Sequence, residues 1–200
     1  MAKIKSNDNN SSKRDVIINV AAGLFKEKGY KASSMRELAT RVGVEAASLY
    51  NHIKSKDELL KEICFTVLKK FHAHIEKLEN EKLPGAEKVE KIIRFHVNEM
   101  MVNYEHVYVT DQNWRMLEEP GLTQYRELRR QYRRRFTAIV QKGIDANELK
   151  PLDANSIVMV ILNAIAAVDQ WHRIIHKVES NNLENIIVSM LVDGIINRPG

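Results

Sequence analysis

Two hundred residues, 44% of them hydrophobic, are enough to bury one core or two small ones. Eight glycines, four prolines and recurrent Glu, Lys, Arg, Leu and Ala favour helices, and a single cysteine, Cys64, excludes an internal disulfide and any multi-cysteine zinc site. The net charge of +5 is uneven, since residues 1–56 hold 11 Lys and Arg against 5 Asp and Glu while the remainder hold 20 against 21. A concentrated basic end suits a polyanion, because each phosphate contacted releases counterions, although a solvated surface without a partner has the same composition. The opening MAKIKSNDNNSSKR lacks the apolar stretch of a signal peptide. No run reaches the ~20 apolar residues of a membrane span, so the expected location is the cytoplasm.

In chain order, residues 1–12 read as a disordered polar arm. Ile17, Val20, Ala21, Leu24 and Phe25 fall at helical spacing over 13–28, and Gly29 supplies the stop. SSMREL opens a second helix, with Ser34 as cap and Glu37 three residues on, and Gly43 ends it. A short third helix is expected over 45–53, and a fourth from the Ser55–Glu58 cap pattern to about residue 79. LPG at 83–85 breaks the chain before a helix over 86–104, followed by a less regular stretch at 111–121. Helices over 122–143, 153–178 and 183–197 complete an all-α reading of about nine helices, without strand pattern or repeat.

The segment GVEAASLYNHIKSKDELL, 43–60, carries the functional signal. A helix-turn-helix needs a small residue where its helices pack and a glycine in the turn, here Ala39 and Gly43. Leu38, Val42, Val44 and Leu49 are the apolar struts. The short helix then offers Ala46, Ala47, Ser48, Tyr50, Asn51 and His52 outward, with small residues at the end that enters a major groove. Lys54 and Lys56 follow where a flanking phosphate backbone would pass. Short Ala- and Gly-containing hairpins also occur in helical proteins that bind no DNA.

These residues resemble the DNA-binding domain of the tetracycline-repressor (TetR) family of bacterial transcription regulators. The likeness covers 14–60. It lies in AAGLFKEKGYKASSMRELA, the RVGV turn and SLYNHIKSKDELL, with Leu49, Tyr50, His52 and Ile53 before Ser55, Lys56 and Asp57. Glu45, Ala47 and Ile53 depart from the usual residues, and Ile53 is expected to fill the core in place of an aromatic ring. The resemblance implies DNA contacts from Ser34, Arg36, Ala46, Ser48, Tyr50, Asn51, His52 and Lys56. It also implies a domain over 13–60 that reads DNA and a helical domain over 61–200 that binds a small effector and dimerises. A dimer would place two recognition helices on a palindromic operator.

For that second domain, Ile157, Val158, Ile161, Leu162, Ile165 and Val168 form one apolar face, and Ile186, Ile187, Met190, Leu191 and Ile195 another. Both are read as the dimer interface, with plain monomer core as the competing reading. Phe95, Met100, Met101, Tyr104, Trp114, Met116, Leu117, Tyr125 and Tyr132 are candidates for an effector pocket, or again for core. RELRRQYRRRF adds six arginines between 126 and 135, Arg129 among them, with Arg126, Arg130 and Arg133 on one face. They suit an anionic ligand or ordinary pairing with Glu. Together they suggest an amphipathic acid such as an acyl-coenzyme A, and NAIAAVDQWHR resembles the segment of family members governing fatty-acid or sterol catabolism.

Asp169, His172 and His176 share a helical face that could ligate a metal, although Asp169 and Arg173 equally make an i, i+4 pair. No phosphate loop, nucleophile elbow or paired catalytic acids are present, so no cofactor and no enzymatic activity are expected. The alternatives are a helical adaptor that binds only protein and a helical enzyme of unrecognised class that binds no DNA. Neither would show salt-dependent retention on duplex DNA.

Overall fold

Local hydrogen bonding sets the first helices. Helix α1, Lys13–Lys28, opens on Ser12, whose hydroxyl accepts from the Asp15 amide while the Asp15 carboxylate accepts from the Ser12 amide at 2.9 Å. Ser34 caps α2, Met35–Val42, by accepting from the Glu37 amide. The Glu37 carboxylate turns instead to Lys28 and Arg41. Gly43 ends α2 in the left-handed region, with φ 79° and ψ 33°, a conformation that strains any residue with a Cβ. Helix α3, Ala46–Tyr50, is only five residues long, shorter than the expected 45–53. Helix α4, Lys56–Asn80, starts at Ser55, which accepts from the Glu58 amide.

The computed structural model describes residues 12–167 and 180–197, the side chains of 180–183 excepted. The later helices are α5 (Gly85–Val102), α6 (Tyr104–Asn113), α7 (Gly121–Asp145), α8 (Ala154–Ala166) and α9 (Ser180–Asp193), with a 3-10 turn at Trp114–Met116. Among the described residues the fold is all-α, nine helices and no strand, as composition and periodicity led one to expect. No helix there is long and apolar enough to cross a membrane. One segment differs from expectation. The helix over 86–104 breaks at Asn103, whose φ of −113° leaves the helical region while its side-chain amide donates to Glu99. The chain then re-enters α6, which ends at Asn113, and the stretch expected to be less regular holds the 3-10 turn and the non-helical residues 117–120.

Two apolar clusters hold the helices. The first joins α1, α2, α3 and the start of α4 to Val109 of α6, Leu117 and Tyr125 of α7; Ile53 is fully buried in it. The second gathers α5, α7, α8 and α9 around Ile75, Leu78 and Phe136. Helix α4 supplies both, Leu59 to Cys64 and Leu68 to one, Val67, Ile75 and Leu78 to the other. There is no packing break at residue 60, only one continuous helix. Where α5 meets the end of α7, Gly85 and Gly143 allow close backbone approach. A Cβ added at Gly85 would stand 2.6 Å from the Gly143 Cα.

Candidate nucleic-acid interface and an apolar cavity

Leu49 and Ile53 are fully buried and pin α3 to the first cluster. That anchoring turns the opposite face outward. Ser34, Arg36, Tyr50, Asn51, His52 and Lys54 are exposed, Tyr50 by 50%, while Ala46 and Ser48 are half-buried at the helix flank. Ala47 and Glu45 are exposed, and Glu45 makes no side-chain cap. Arg14 of α1 locks the base of this surface. Its guanidinium donates to the His52 carbonyl, to Glu58 at 2.7 Å and to Glu62. The arrangement lowers the Glu58 pKa, chiefly through the Arg14 hydrogen bond.

Lys56 requires a correction. Sequence reasoning made it a phosphate clamp, but its ammonium donates to the carbonyls of Tyr30 (2.7 Å), Ser33 (2.9 Å) and Lys31 (3.2 Å) and lies over the Tyr30 ring. An ammonium has three protons, and all three are engaged. Lys56 therefore holds the α1–α2 turn and positions Ser34 rather than standing free.

A cavity of about 440 Å³ opens between α4, α5, α6, α7 and α8. Its inner wall is Val67, Phe71, Met100, Val107, Tyr125 and Tyr132, and its exposed rim carries Asp111, Gln112, Arg115 and Arg133. The Trp114 ring has the guanidinium of Arg115 4.5 Å from its centre and that of Arg129 at 4.7 Å. On the inner wall His96 and Tyr132 share a 2.6 Å hydrogen bond, and the His96 ring stacks on Phe71 at 4.4 Å. Burial lowers the His96 pKa to about 3, so its imidazole is neutral at any physiological pH. The cavity thus has a mostly apolar, uncharged interior and a mouth where arginines outnumber the one carboxylate, Asp111.

Of the pocket residues read from sequence, Met100, Trp114, Tyr125, Arg129 and Tyr132 line this cavity, and Phe95, Met101, Tyr104, Met116 and Leu117 do not. Phe95 stacks on His74 at 4.0 Å, Met101 packs beside the second cluster, and Met116 is 38% exposed at the surface. All are large apolar side chains, and composition could not separate core, surface and cavity. The arginines also sort differently from the expected Arg126, Arg130 and Arg133 face. Arg129 and Arg133 reach the cavity, whereas Arg130 and Arg134 approach Glu127 and Arg135 pairs with Glu79. Residues that sequence reasoning missed are His96 and Arg115. A lone histidine between apolar neighbours gave no signal of its partner 36 positions away.

The proposed dimer stripe is corrected as well. Ile157, Ile161, Ile165 and Ile187 are buried within the single chain, and Leu191 packs against the same cluster. Among the described residues of these helices, Met159 (45%), Val160 (62%), Ile186 (43%) and Met190 (71%) are the exposed large apolar side chains. These helices are apolar on more than one face, so periodicity alone chose the inner one. Among the described residues of the expected interface faces, Ile186 and Met190 stand out into solvent. Val168, Asp169, His172 and His176, like the arm before residue 12, lie outside the described residues.

The Cys64 thiol is buried and pushed up to about 12, the opposite of an activated nucleophile. Comparison with known proteins places the chain in a family. Residues 17–63 match the family described as bacterial regulatory proteins, tetR family, and residues 82–195 match the tetracyclin repressor-like C-terminal domain. The HTH-type transcriptional repressor KstR2 of Mycobacterium tuberculosis is 23% identical over 167 residues, 82% of each chain. Its ketosteroid-regulator structure superposes with a TM-score of 0.87 at 19% identity, covering 98% of this chain and all of that one. The fatty acid metabolism regulator protein of Bacillus subtilis is 25% identical over 91% of this chain and 95% of its own. AibR, solved with isovaleryl coenzyme A and operator DNA, gives a TM-score of 0.80 at 17% identity over 90% and 98%.

Proposed function

The chain belongs to the TetR family of DNA-binding bacterial regulators, and we propose that it acts as a homodimeric repressor on a palindromic operator. Residues 13–60 read the DNA through Arg36, Ala46, Ser48, Tyr50, Asn51, His52 and Lys54. Residues 61–200 bind the effector and dimerise. The effector is an amphipathic acid, best fitted by an acyl-coenzyme A thioester. The observation that carries this choice is the cavity with an uncharged interior and Arg115, Arg129 and Arg133 near its mouth, which suits an acyl chain inside and phosphates outside. AibR, solved with both isovaleryl coenzyme A and operator DNA, supports the same class.

Val160, Ile186 and Met190, on helices that both pack against α5, supply the twofold contact in this reading. Filling the cavity shifts α4 and α6, which touch α1, and moves the recognition helices out of register with successive grooves. The test is fluorescence anisotropy with duplexes from the region upstream of the protein's own gene at low salt. Nanomolar, salt-dependent binding is expected, with release by octanoyl-coenzyme A and none by coenzyme A alone. Absence of affinity for every duplex overturns the operator reading; binding that no thioester or acid weakens overturns the effector.

A further inference from the structure

We propose that the inner wall of the cavity selects an effector whose buried end carries an uncharged oxygen, a ketone or a hydroxyl, hydrogen-bonded to the Tyr132–His96 pair. The inference rests on the reading that the cavity takes an acyl thioester, and adds what the far end of the acyl group must be. An interior built for a plain alkyl chain would be apolar throughout. Here two polar side chains, from α5 and α7, meet at 2.6 Å among the apolar Val67, Phe71, Met100 and Val107, with Thr110 and Tyr125 the other buried side chains of that wall to carry a hydroxyl. Tyr132 is 5% exposed, whereas His96 keeps part of its surface accessible while lining the cavity.

Hydrogen-bond capacity supports the assignment. A neutral imidazole and a phenol together hold two protons and at least three lone pairs. Their mutual bond takes one of each in either tautomer. A donor and an acceptor therefore remain, enough for a carbonyl or hydroxyl oxygen. Stacking on Phe71 fixes the imidazole plane, so the site is preorganised. The cationic side chains lie toward the mouth, so a terminal carboxylate would be desolvated without a countercharge and is selected against. The competing explanation is that the pair merely braces α5 against α7.

Titration calorimetry on the full-length protein separates the two, with octanoyl-coenzyme A, its 7-oxo derivative and its terminal dicarboxylic analogue as probes. The oxo thioester binds roughly tenfold tighter than octanoyl, as one net hydrogen bond implies, and the dicarboxylic probe binds weakest. Tyr132→Phe and His96→Phe each weaken the oxo preference, since each leaves one donor, and the double variant, which removes both, abolishes it while octanoyl affinity stays within about threefold. Equal binding of the two thioesters, or a preference that survives both substitutions, overturns the inference and leaves the thioester reading intact. Failure of all three probes to bind overturns both.

Discussion

Arg14 and Glu58 meet at 2.7 Å, joining the first turn of α1 to the first turn of α4, and the same guanidinium holds the carbonyl of His52 at the end of the recognition segment. One side chain thus ties the segment that faces DNA to the helix that runs into the cavity wall. Arg14→Gln leaves Glu58 and Glu62 facing each other without their cation. Because the ion pair is partly solvent-exposed, the expected stability loss is only on the order of 1 kcal/mol by chemical denaturation. Operator affinity falls roughly tenfold, since the recognition segment loses its fixed angle. An unchanged operator affinity would show that α3 needs no brace from α1.

Acid should weaken the fold through two such carboxylates. Arg14 lowers the pKa of Glu58, and Arg135 lowers that of Glu79, below the ordinary 4.5. A depressed carboxylate contributes stability that is complete above its unfolded pKa and disappears as pH falls through the folded one. Unfolding free energy measured in urea should therefore be flat above about pH 5 and decline below it, by about 1 kcal/mol per pair after allowance for exposure. Arg135→Gln removes part of that decline. If its acid profile matches that of the parent protein, the Glu79 pair contributes nothing.

Two lysines two residues apart should behave differently. Lys54→Ala removes an exposed cation and is expected to reduce the slope of log affinity against log salt by about one. Lys56→Met leaves that slope unchanged and instead costs about 2 kcal/mol of stability, because the carbonyls of Tyr30, Lys31 and Ser33 lose a charged donor. A reversed pattern would restore Lys56 as the phosphate contact.

Assembly and folding should likewise separate on α8 and α9. Met190→Glu places a charge on an exposed apolar side chain and is expected to yield a folded monomer by analytical ultracentrifugation. Ile161→Ala empties a buried site, lowers stability by about 3 kcal/mol and leaves the assembly unchanged. A dimer that persists in Met190→Glu would move the interface elsewhere.

The helix-turn-helix was legible because its signals are local. Ser34, Ser55 and Gly43 act within four residues of themselves, so spacing predicts their role, and Leu49 and Ile53 bury as the 3.6-residue period requires. The break at Asn103 was not legible, since a polar residue in a helical run is compatible with either continuation or a stop. Nor was the role of Lys56. A lysine next to a recognition helix looks like a phosphate contact until the carbonyls from 30–33 are seen around it.

What the sequence alone determined is the helical class, the basic N-terminal quarter and the helix-turn-helix, all properties of composition and short-range spacing. Tertiary structure decided which apolar stripe of α8 and α9 faces inward, which arginines reach the cavity and that His96 meets Tyr132. Each of those depends on the rotation of one helix against another. That rotation is set by packing between residues distant along the chain, and a single helix's periodicity carries no record of it.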